Sequence, residues 1–186
     1  DAGGGLTAVA VWSLLSHPSG SLFAGSNSKG GYRSTNNGTS WAQANGSSAS
    51  LASANVWSLA VNSSGHVYAG TDVGVFRSTD NAGSWNAVNS GLTNTVVKGL
   101  AVNLGGHVFA ATDGGGVFRS TDNGGSWKQV NSGITNTSMM CITIHPNGFL
   151  FTGSNGGGLF RSTDNGETWG ASNAGASARL FVDGVA

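Results

Sequence analysis

The sequence repeats the same short motif four times at nearly constant spacing. Four eight-residue segments align on a tryptophan: STNNGTSW ending at Trp41, STDNAGSW at Trp85, STDNGGSW at Trp127 and STDNGETW at Trp169. Successive tryptophans are 44, 42 and 42 residues apart. A period of about 40–45 residues is that of a four-stranded propeller blade. The repeat therefore predicts an all-β chain, a β-propeller with four blades of four antiparallel strands each.

Each repeat unit can be divided into four short strands. In the third unit they are predicted at 98–103, 107–112, 116–120 and 126–131, and glycines such as Gly106 supply the turns. No segment has helical periodicity. The whole chain, 1–186, is interpreted as one repeat domain with blades at about 6–46, 54–90, 96–132 and 138–173. A further strand is predicted at 179–183, where the sequence is Arg-Leu-Phe-Val-Asp.

Composition excludes several classes of partner. Eight Lys and Arg balance eight Asp and Glu, and 9% of residues are charged, so the chain has no field that would attract nucleic acid. No apolar run approaches the roughly 20 residues that span a bilayer, so membrane insertion is not expected. The single cysteine, Cys141, excludes an intramolecular disulfide and a site of paired cysteines. Low charge and many neutral polar residues favour a secreted or cell-surface protein.

The repeated segment has a structural explanation of its own. Asp122 follows Ser120 by two positions, where its carboxylate can accept backbone N–H bonds and close a turn. Gly124 permits a left-handed backbone in that turn. Trp127 is expected on the following strand as a large apolar anchor. The segment is therefore predicted to be a self-bonded hairpin fixed by an indole.

These segments resemble the Asp-box, or BNR, repeat, whose pattern is Ser-x-Asp-x-Gly-x-Thr/Ser-Trp. The resemblance implies a propeller in which the box joins the third and fourth strands of each blade at the periphery, away from the ligand face. Two boxes depart from the pattern, since Asn36 replaces the aspartate in the first and Ala82 replaces the glycine in the second. The residues that match the box as structural positions are Ser34, Asn36, Trp41, Ser78, Asp80, Trp85, Ser120, Asp122, Trp127, Ser162, Asp164 and Trp169.

Catalytic residues are not predicted. A glycosidase needs two carboxylates held at a defined separation, and the box aspartates are already assigned to turns. The four arginines occupy one repeat position just before the box, where bracing between blades is favoured over ligand binding: Arg33, Arg77, Arg119 and Arg161. The four histidines do not cluster in sequence, so no metal site is predicted, and no cofactor motif is present.

The strongest indication of binding is a column at the start of the first strands, formed by Trp12, Trp57, Lys98 and Met140. Beside it the turns between second and third strands carry Asn27, Asp72, Asp113 and Asn155. Aromatic rings beside polar groups commonly hold sugars. All of these except Met140 are candidate ligand-binding residues. The alternative is that the column belongs to the core.

The sequence thus favours a non-catalytic interaction or structural module outside the cell, with a glycan or a protein as partner. The alternative is one part of a larger Asp-box glycoside hydrolase whose catalytic residues lie elsewhere. Four blades are at the lower limit for a closed ring. The ring is therefore expected to be completed by another copy of the chain, as a homo-oligomer, or by the remainder of a longer chain.

Overall fold

The computed structural model describes residues 5–6 and 9–174. The strand predicted at 179–183 lies outside these residues. Within them the chain forms four antiparallel sheets of four strands each, in which strands that are consecutive in sequence are neighbours. The predicted all-β propeller architecture is confirmed.

Each sheet is one blade, and corresponding strands have similar lengths in the four blades. The first blade contains β1 (Val11–Ser16), β2 (Leu22–Ser26), β3 (Gly31–Ser34) and β4 (Ala42–Gln43). The second contains β5 (Val56–Val61), β6 (Val67–Thr71), β7 (Gly74–Ser78) and β8 (Asn86–Ala87). The third contains β9 (Val97–Val102), β10 (Val108–Thr112), β11 (Gly116–Ser120) and β12 (Lys128–Gln129). The fourth contains β13 (Met139–Ile144), β14 (Leu150–Ser154), β15 (Gly158–Ser162) and β16 (Gly170–Ala171).

The hydrophobic core is divided among the junctions between blades. Three clusters of buried side chains each combine residues of two neighbouring blades. Representative members from the two sides are Phe23 with Val56, Tyr68 with Leu100, and Phe109 with Ile142. We call the side of a blade that faces the preceding blade its leading face, and the side that faces the following blade its trailing face. The first strands β1, β5, β9 and β13 contact one another in that order.

Two hydrogen bonds recur at every junction. The guanidinium of an arginine on the third strand donates to the carbonyl of a box asparagine in the following blade, at 2.7 Å each time: Arg33 to Asn81, Arg77 to Asn123, and Arg119 to Asn165. The box indole donates to a carbonyl of the preceding blade at 2.7–2.8 Å: Trp85 to Ala44, Trp127 to Val88, and Trp169 to Val130. At each junction, therefore, the arginine donates to the following blade and the tryptophan donates to the preceding blade.

Three details differ from the sequence predictions. A single helical turn, α1 (Ala49–Ala52), lies between the first two blades, where Ser48 caps it and Leu51 is buried. Four residues are too few to show helical periodicity. The fourth strands are only two residues long, and the tryptophans of the boxes lie just before them rather than on them. In the last three boxes the indole is held by a hydrogen bond to the preceding blade, so the tryptophan does not need to pair within its own sheet.

The second box keeps the geometry of the others despite Ala82. The backbone of Ala82 has φ 67°, in the left-handed region where the other boxes have glycine. Its N–H still donates to the Ser78 hydroxyl at 2.8 Å, and its side chain is buried in the cluster between the first and second blades. Burial of the methyl group offsets part of the cost of a left-handed alanine, which is about 1–2 kcal/mol.

Candidate functional site

Every first strand carries a β-bulge at the same place. In β5 the paired residues are Val56 with Thr71 and Ser58 with Gly70, so Trp57 is the extra residue without a cross-strand partner. The extra residues of the four bulges are Trp12, Trp57, Lys98 and Met140. A bulge re-aims the side chain that it carries, and bulges are frequent beside functional sites. The column singled out in the sequence is thus a column of bulges.

The bulges border a groove along the first strands of all four blades. Its volume is about 840 Å³, and its walls include Trp12, Trp57, Lys98 and Met140. Trp12 is 50% exposed. Its ring centroid lies 5.1 Å from that of Trp57, with the two planes inclined by 44°. The column therefore contributes side chains to an open surface rather than only to the core.

A cation completes the aromatic pair. The Lys98 ammonium lies 3.5 Å from the centroid of the Trp57 ring, within the range of a cation–π contact. The indole nitrogen of Trp57 is buried and has no hydrogen-bond partner among the described residues. Contacts with Lys98 and Trp12, rather than a hydrogen bond, therefore hold this ring. Lys98 is also the sole charged side chain among the described residues that line the groove.

The polar turn residues are not brought into this groove. Asn27, Asp72, Asp113 and Asn155 do not line it; they bond to loops beside their own turns. Asp72 accepts from the backbone and side-chain nitrogens of Asn55 at 3.0 and 2.8 Å.

The other three turn residues also bond to neighbouring linkers, through the side chain of Asp113 and the backbones of Asn27 and Asn155. Asp113 accepts from the Ser138 hydroxyl, and the Asn155 N–H donates to the Ser138 carbonyl at 2.8 Å. The Asn27 N–H donates to the Ala10 carbonyl at 2.9 Å. These side chains and backbones therefore tie turns to linkers, and the structure brings together Trp12, Trp57 and Lys98 alone among the candidate residues.

The Asp-box carboxylates are occupied within their own turns. The Ser120 hydroxyl donates to Asp122 Oδ1 at 2.7 Å and accepts from the Gly124 N–H at 2.7 Å. Asp122 also accepts from the hydroxyl and the N–H of Ser126, at 2.7 and 2.8 Å. The Ser126 hydroxyl, followed by its N–H, lowers the pKa of Asp122 to about 2. An anion held by three donors is a structural group rather than a proton donor.

The other boxes follow the same scheme. The pKa values of Asp80 and Asp164 are also lowered to about 2, first by the hydroxyls of Ser84 and Thr168. In the first box Asn36 accepts from the Ser40 N–H at 2.9 Å and donates to its hydroxyl. An amide therefore satisfies the turn without a charge.

A second repeated asparagine was missed in the sequence. The Asn131 Oδ1 accepts from the Val117 N–H at 2.7 Å, and its Nδ2 donates to the Gly115 carbonyl at 2.9 Å. Equivalent asparagines accept from the N–H of a third-strand residue at 2.7 Å in the other blades: Asn45, Asn89 and Asn173. The spacing Trp-x-x-x-Asn recurs in all four units and would have revealed this position.

All six carboxylates in the described part of the chain have hydrogen-bonding partners. Besides the three box aspartates, Asp72 and Asp113 bond to linkers, and Glu167 forms an ion pair with Arg119 at 2.6 Å. The Arg119 guanidinium lowers the pKa of Glu167. None of the six lines the groove. The same residues contain no group of three His, Cys, Asp or Glu side chains arranged to hold a metal ion. Between residues 5 and 174 as described, no helix is long and apolar enough to cross a membrane.

Comparison with known proteins identifies the family of this chain. The model of the DUF6242 beta propeller domain matches residues 19–139 and again 55–181, which together span most of the chain. No curated protein matches the sequence. The two overlapping matches reflect the internal repeat.

Several solved structures are similar in fold. The extracellular domain of BT4673 from B. thetaiotaomicron is 18% identical with TM-score 0.76, covering 97% of this chain and 24% of that one. The GH74 xyloglucanase of Xanthomonas campestris is 18% identical with TM-score 0.70, covering 95% and 31%. YCF48 bound to D1 peptide is 21% identical with TM-score 0.57, covering 81% and 49%. The chain thus spans a quarter to a half of these proteins, and at such identities the likeness shows the fold alone. The resemblance to Asp-box propellers is confirmed at that level.

Proposed function

The chain belongs to the DUF6242 beta propeller domain family, and we propose that it is an extracellular binding module that holds a glycan in the groove of the four bulges. The observation that carries the proposal is the partly exposed Trp12 ring beside Trp57 and Lys98. The flat apolar face of a sugar stacks on such a ring, and the ammonium supplies a charged donor.

The composition of the groove favours an acidic sugar. Lys98 brings one positive charge to a surface otherwise made of aromatic, aliphatic and small polar side chains. None of the six described carboxylates lines the groove, and each has hydrogen-bond partners other than Lys98. A uronic acid would meet both a stacking surface and a counter-charge. An exposed ion pair adds up to about 1 kcal/mol, or roughly a fivefold difference in affinity.

Location outside the cell is supported by two considerations. Low charge and a neutral polar surface suit secretion, and the similar BT4673 structure is described as an extracellular domain. Ligand recognition through a groove also does not require a catalytic pair, which fits the engagement of the six described carboxylates.

Calorimetric titration with an acidic oligogalacturonide and a neutral xyloglucan oligosaccharide tests the proposal. Trp12→Ala should weaken binding of both ligands by about tenfold, the value of one aromatic contact. Lys98→Met should remove the preference for the acidic ligand while retaining neutral binding. Leu104→Ala, at an exposed position outside the groove, is the matched control. Unchanged titrations in both groove variants would overturn the assignment.

A second candidate function is favoured by the similarity to GH74 enzymes. The chain covers 31% of the Xanthomonas xyloglucanase, so it could form a few blades of a larger glycoside hydrolase whose carboxylates lie on other blades. The purified chain should then still fail to hydrolyse xyloglucan by itself. Turnover by the purified chain that disappears when one of its own aspartates or glutamates is changed would contradict both candidate functions, because it would place catalysis in this chain.

A further inference from the structure

The two faces at the ends of the four-blade arc are built like the faces that meet inside it. Each internal junction joins the trailing face of one blade to the leading face of the next through a shared hydrophobic cluster. Among the described residues no such cluster joins the fourth blade to the first. On the leading face of the first blade, Gly5 of the same chain lies against the Trp41 carbonyl, as Gly91 and Gly133 lie against the carbonyls of Trp127 and Trp169. The rest of that leading face and the trailing face of the fourth blade are therefore the two unmatched halves of a fourth junction.

The leading face of the first blade exposes side chains whose equivalents are buried or, at Leu59, half-buried in the other blades. Leu14 is 71% exposed, whereas Leu100 and Ile142 at the equivalent positions of β9 and β13 are 6% and 7% exposed. Val11 is 41% exposed, whereas the equivalent Val97 is fully buried. Since these equivalents are covered by the preceding blade, a trailing face would bury Leu14 and Val11 in the same way.

The hydrogen bonds of the junction are missing at the same two faces. The indole nitrogen of Trp41 donates to none of the described residues, although the three later box indoles donate to the preceding blade. These indoles bond to the carbonyl three residues after the previous box tryptophan. In the fourth blade that carbonyl belongs to Ser172, and no described side chain donates to it.

Arg161 completes the description of the trailing face. Its side chain is exposed and its guanidinium makes no hydrogen bond to the described residues, whereas the guanidinium groups of Arg33, Arg77 and Arg119 each donate to a box asparagine of the next blade. Its guanidinium carbon lies 5.6 Å from the Phe149 ring centroid. The equivalent acceptor on the first blade is the carbonyl of Asn37, which has the same left-handed backbone as the other three asparagines.

We propose that the leading face of the first blade docks onto the trailing face of the fourth blade of a second copy of this chain. In this junction Trp41 donates to the Ser172 carbonyl, and Arg161 donates to the Asn37 carbonyl. The occupant follows from continuity with the three internal junctions, because this chain itself presents both complementary faces. Two reciprocal junctions close an eight-blade ring with two-fold symmetry.

Sedimentation of the purified chain, with two complementary variants, tests the docking. The parent chain should sediment with twice the mass of a single chain. Leu14→Glu disables the leading face and Arg161→Glu disables the trailing face, so each variant alone should fall to single-chain mass. An equimolar mixture of the two should associate again, because one junction of the mixed pair has both of its faces intact. Leu104→Glu, a matched exposed control, should behave as the parent.

Each outcome decides the proposal. Circular dichroism and thermal melting verify that the variants stay folded, which is expected because Leu14 and Arg161 are exposed. A parent chain of single mass overturns the docking, since the faces are then covered within one chain or left open. A dimer that survives both substitutions also overturns it. A ladder of larger masses that both variants abolish supports the contact but overturns the closed ring.

Discussion

The backbone of Gly99 in the third blade lies directly against the backbone of Ile142 in the fourth. A Cβ atom at position 99 would lie 2.9 Å from the Ile142 nitrogen and 3.1 Å from the Cys141 Cα. The two inner strands therefore approach each other at a distance that only glycine permits. Because the obstacle is main chain, it cannot move aside as a flexible side chain would.

Gly99→Ala should consequently force the third and fourth blades apart and destabilise the fold by about 1–3 kcal/mol, the usual cost of overpacking. Gly170→Ala is the control, since a Cβ there meets nothing within 4 Å and the change should stay within about 0.5 kcal/mol. Urea denaturation followed by tryptophan fluorescence measures both. Equal stability of the two variants would show that the inner strands can separate without cost.

The two serines of the third box should differ in importance. Ser120→Ala removes a buried hydroxyl and leaves the Gly124 N–H without its acceptor, which costs about 1–3 kcal/mol. Ser126→Ala removes an exposed hydroxyl whose bond to Asp122 water can replace, so about 0.5 kcal/mol or less is expected. Thermal melts of the two variants provide the comparison. The reverse order of stability would contradict the assignment of Ser120 as the centre of the turn.

Asn131 and Gln129 offer a second matched pair, because both side chains donate to the Gly115 carbonyl. The Asn131 side chain also accepts from the Val117 N–H, whereas the Gln129 side chain is exposed and makes no second hydrogen bond to the described residues. Asn131→Ala should therefore cost about 1–3 kcal/mol and Gln129→Ala about 0.5 kcal/mol or less. Hydrogen exchange should locate the loss at the start of β11. Protection there that is unchanged in Asn131→Ala would exclude this role.

Acid should weaken the fold through the box aspartates. Their pKa values of about 2 lie below the ordinary value of 3.8, so the ionised form is favoured by folding. The stability they contribute is complete above the unfolded pKa and is lost as pH falls from about 4 to about 2. Urea midpoints measured across this interval should decline.

The matched variant replaces Asp80, Asp122 and Asp164 by asparagine together. Asn36 already forms the first box, so the turns should persist, while the three carboxylates no longer titrate. The variant's midpoint should depend less on pH between 4 and 2 than that of the parent. Identical slopes for the two proteins would mean that other carboxylates dominate acid unfolding.

The sequence predicted the blades and the boxes well because both depend on local patterns. A fixed period determines the number of units, and Ser120, Asp122 and Gly124 form their bonds within five residues. The bond from Trp127 to Val88 crosses 39 residues and was not predicted, although the same bond recurs at Trp85 and Trp169.

The candidate site was predicted only in part. Trp12, Trp57 and Lys98 share one repeat position, which was sufficient to group them in sequence. Their role as bulge residues depends on cross-strand register, which composition does not reveal. Asp72 was grouped with these residues because its turn was expected beside them and its side chain is polar. Its carboxylate oxygens instead accept hydrogen bonds from Asn55. A single sequence does not show which donors a turn residue will bond.

The uniform junction also affects how genes for such proteins can change. Because each blade carries an arginine for the next blade and an indole for the previous one, an in-frame duplication of one unit of about 42 residues adds one complete junction. Loss of a unit likewise removes one junction and leaves the others chemically intact. Recombination between units can therefore alter the length of the array without any compensating substitution.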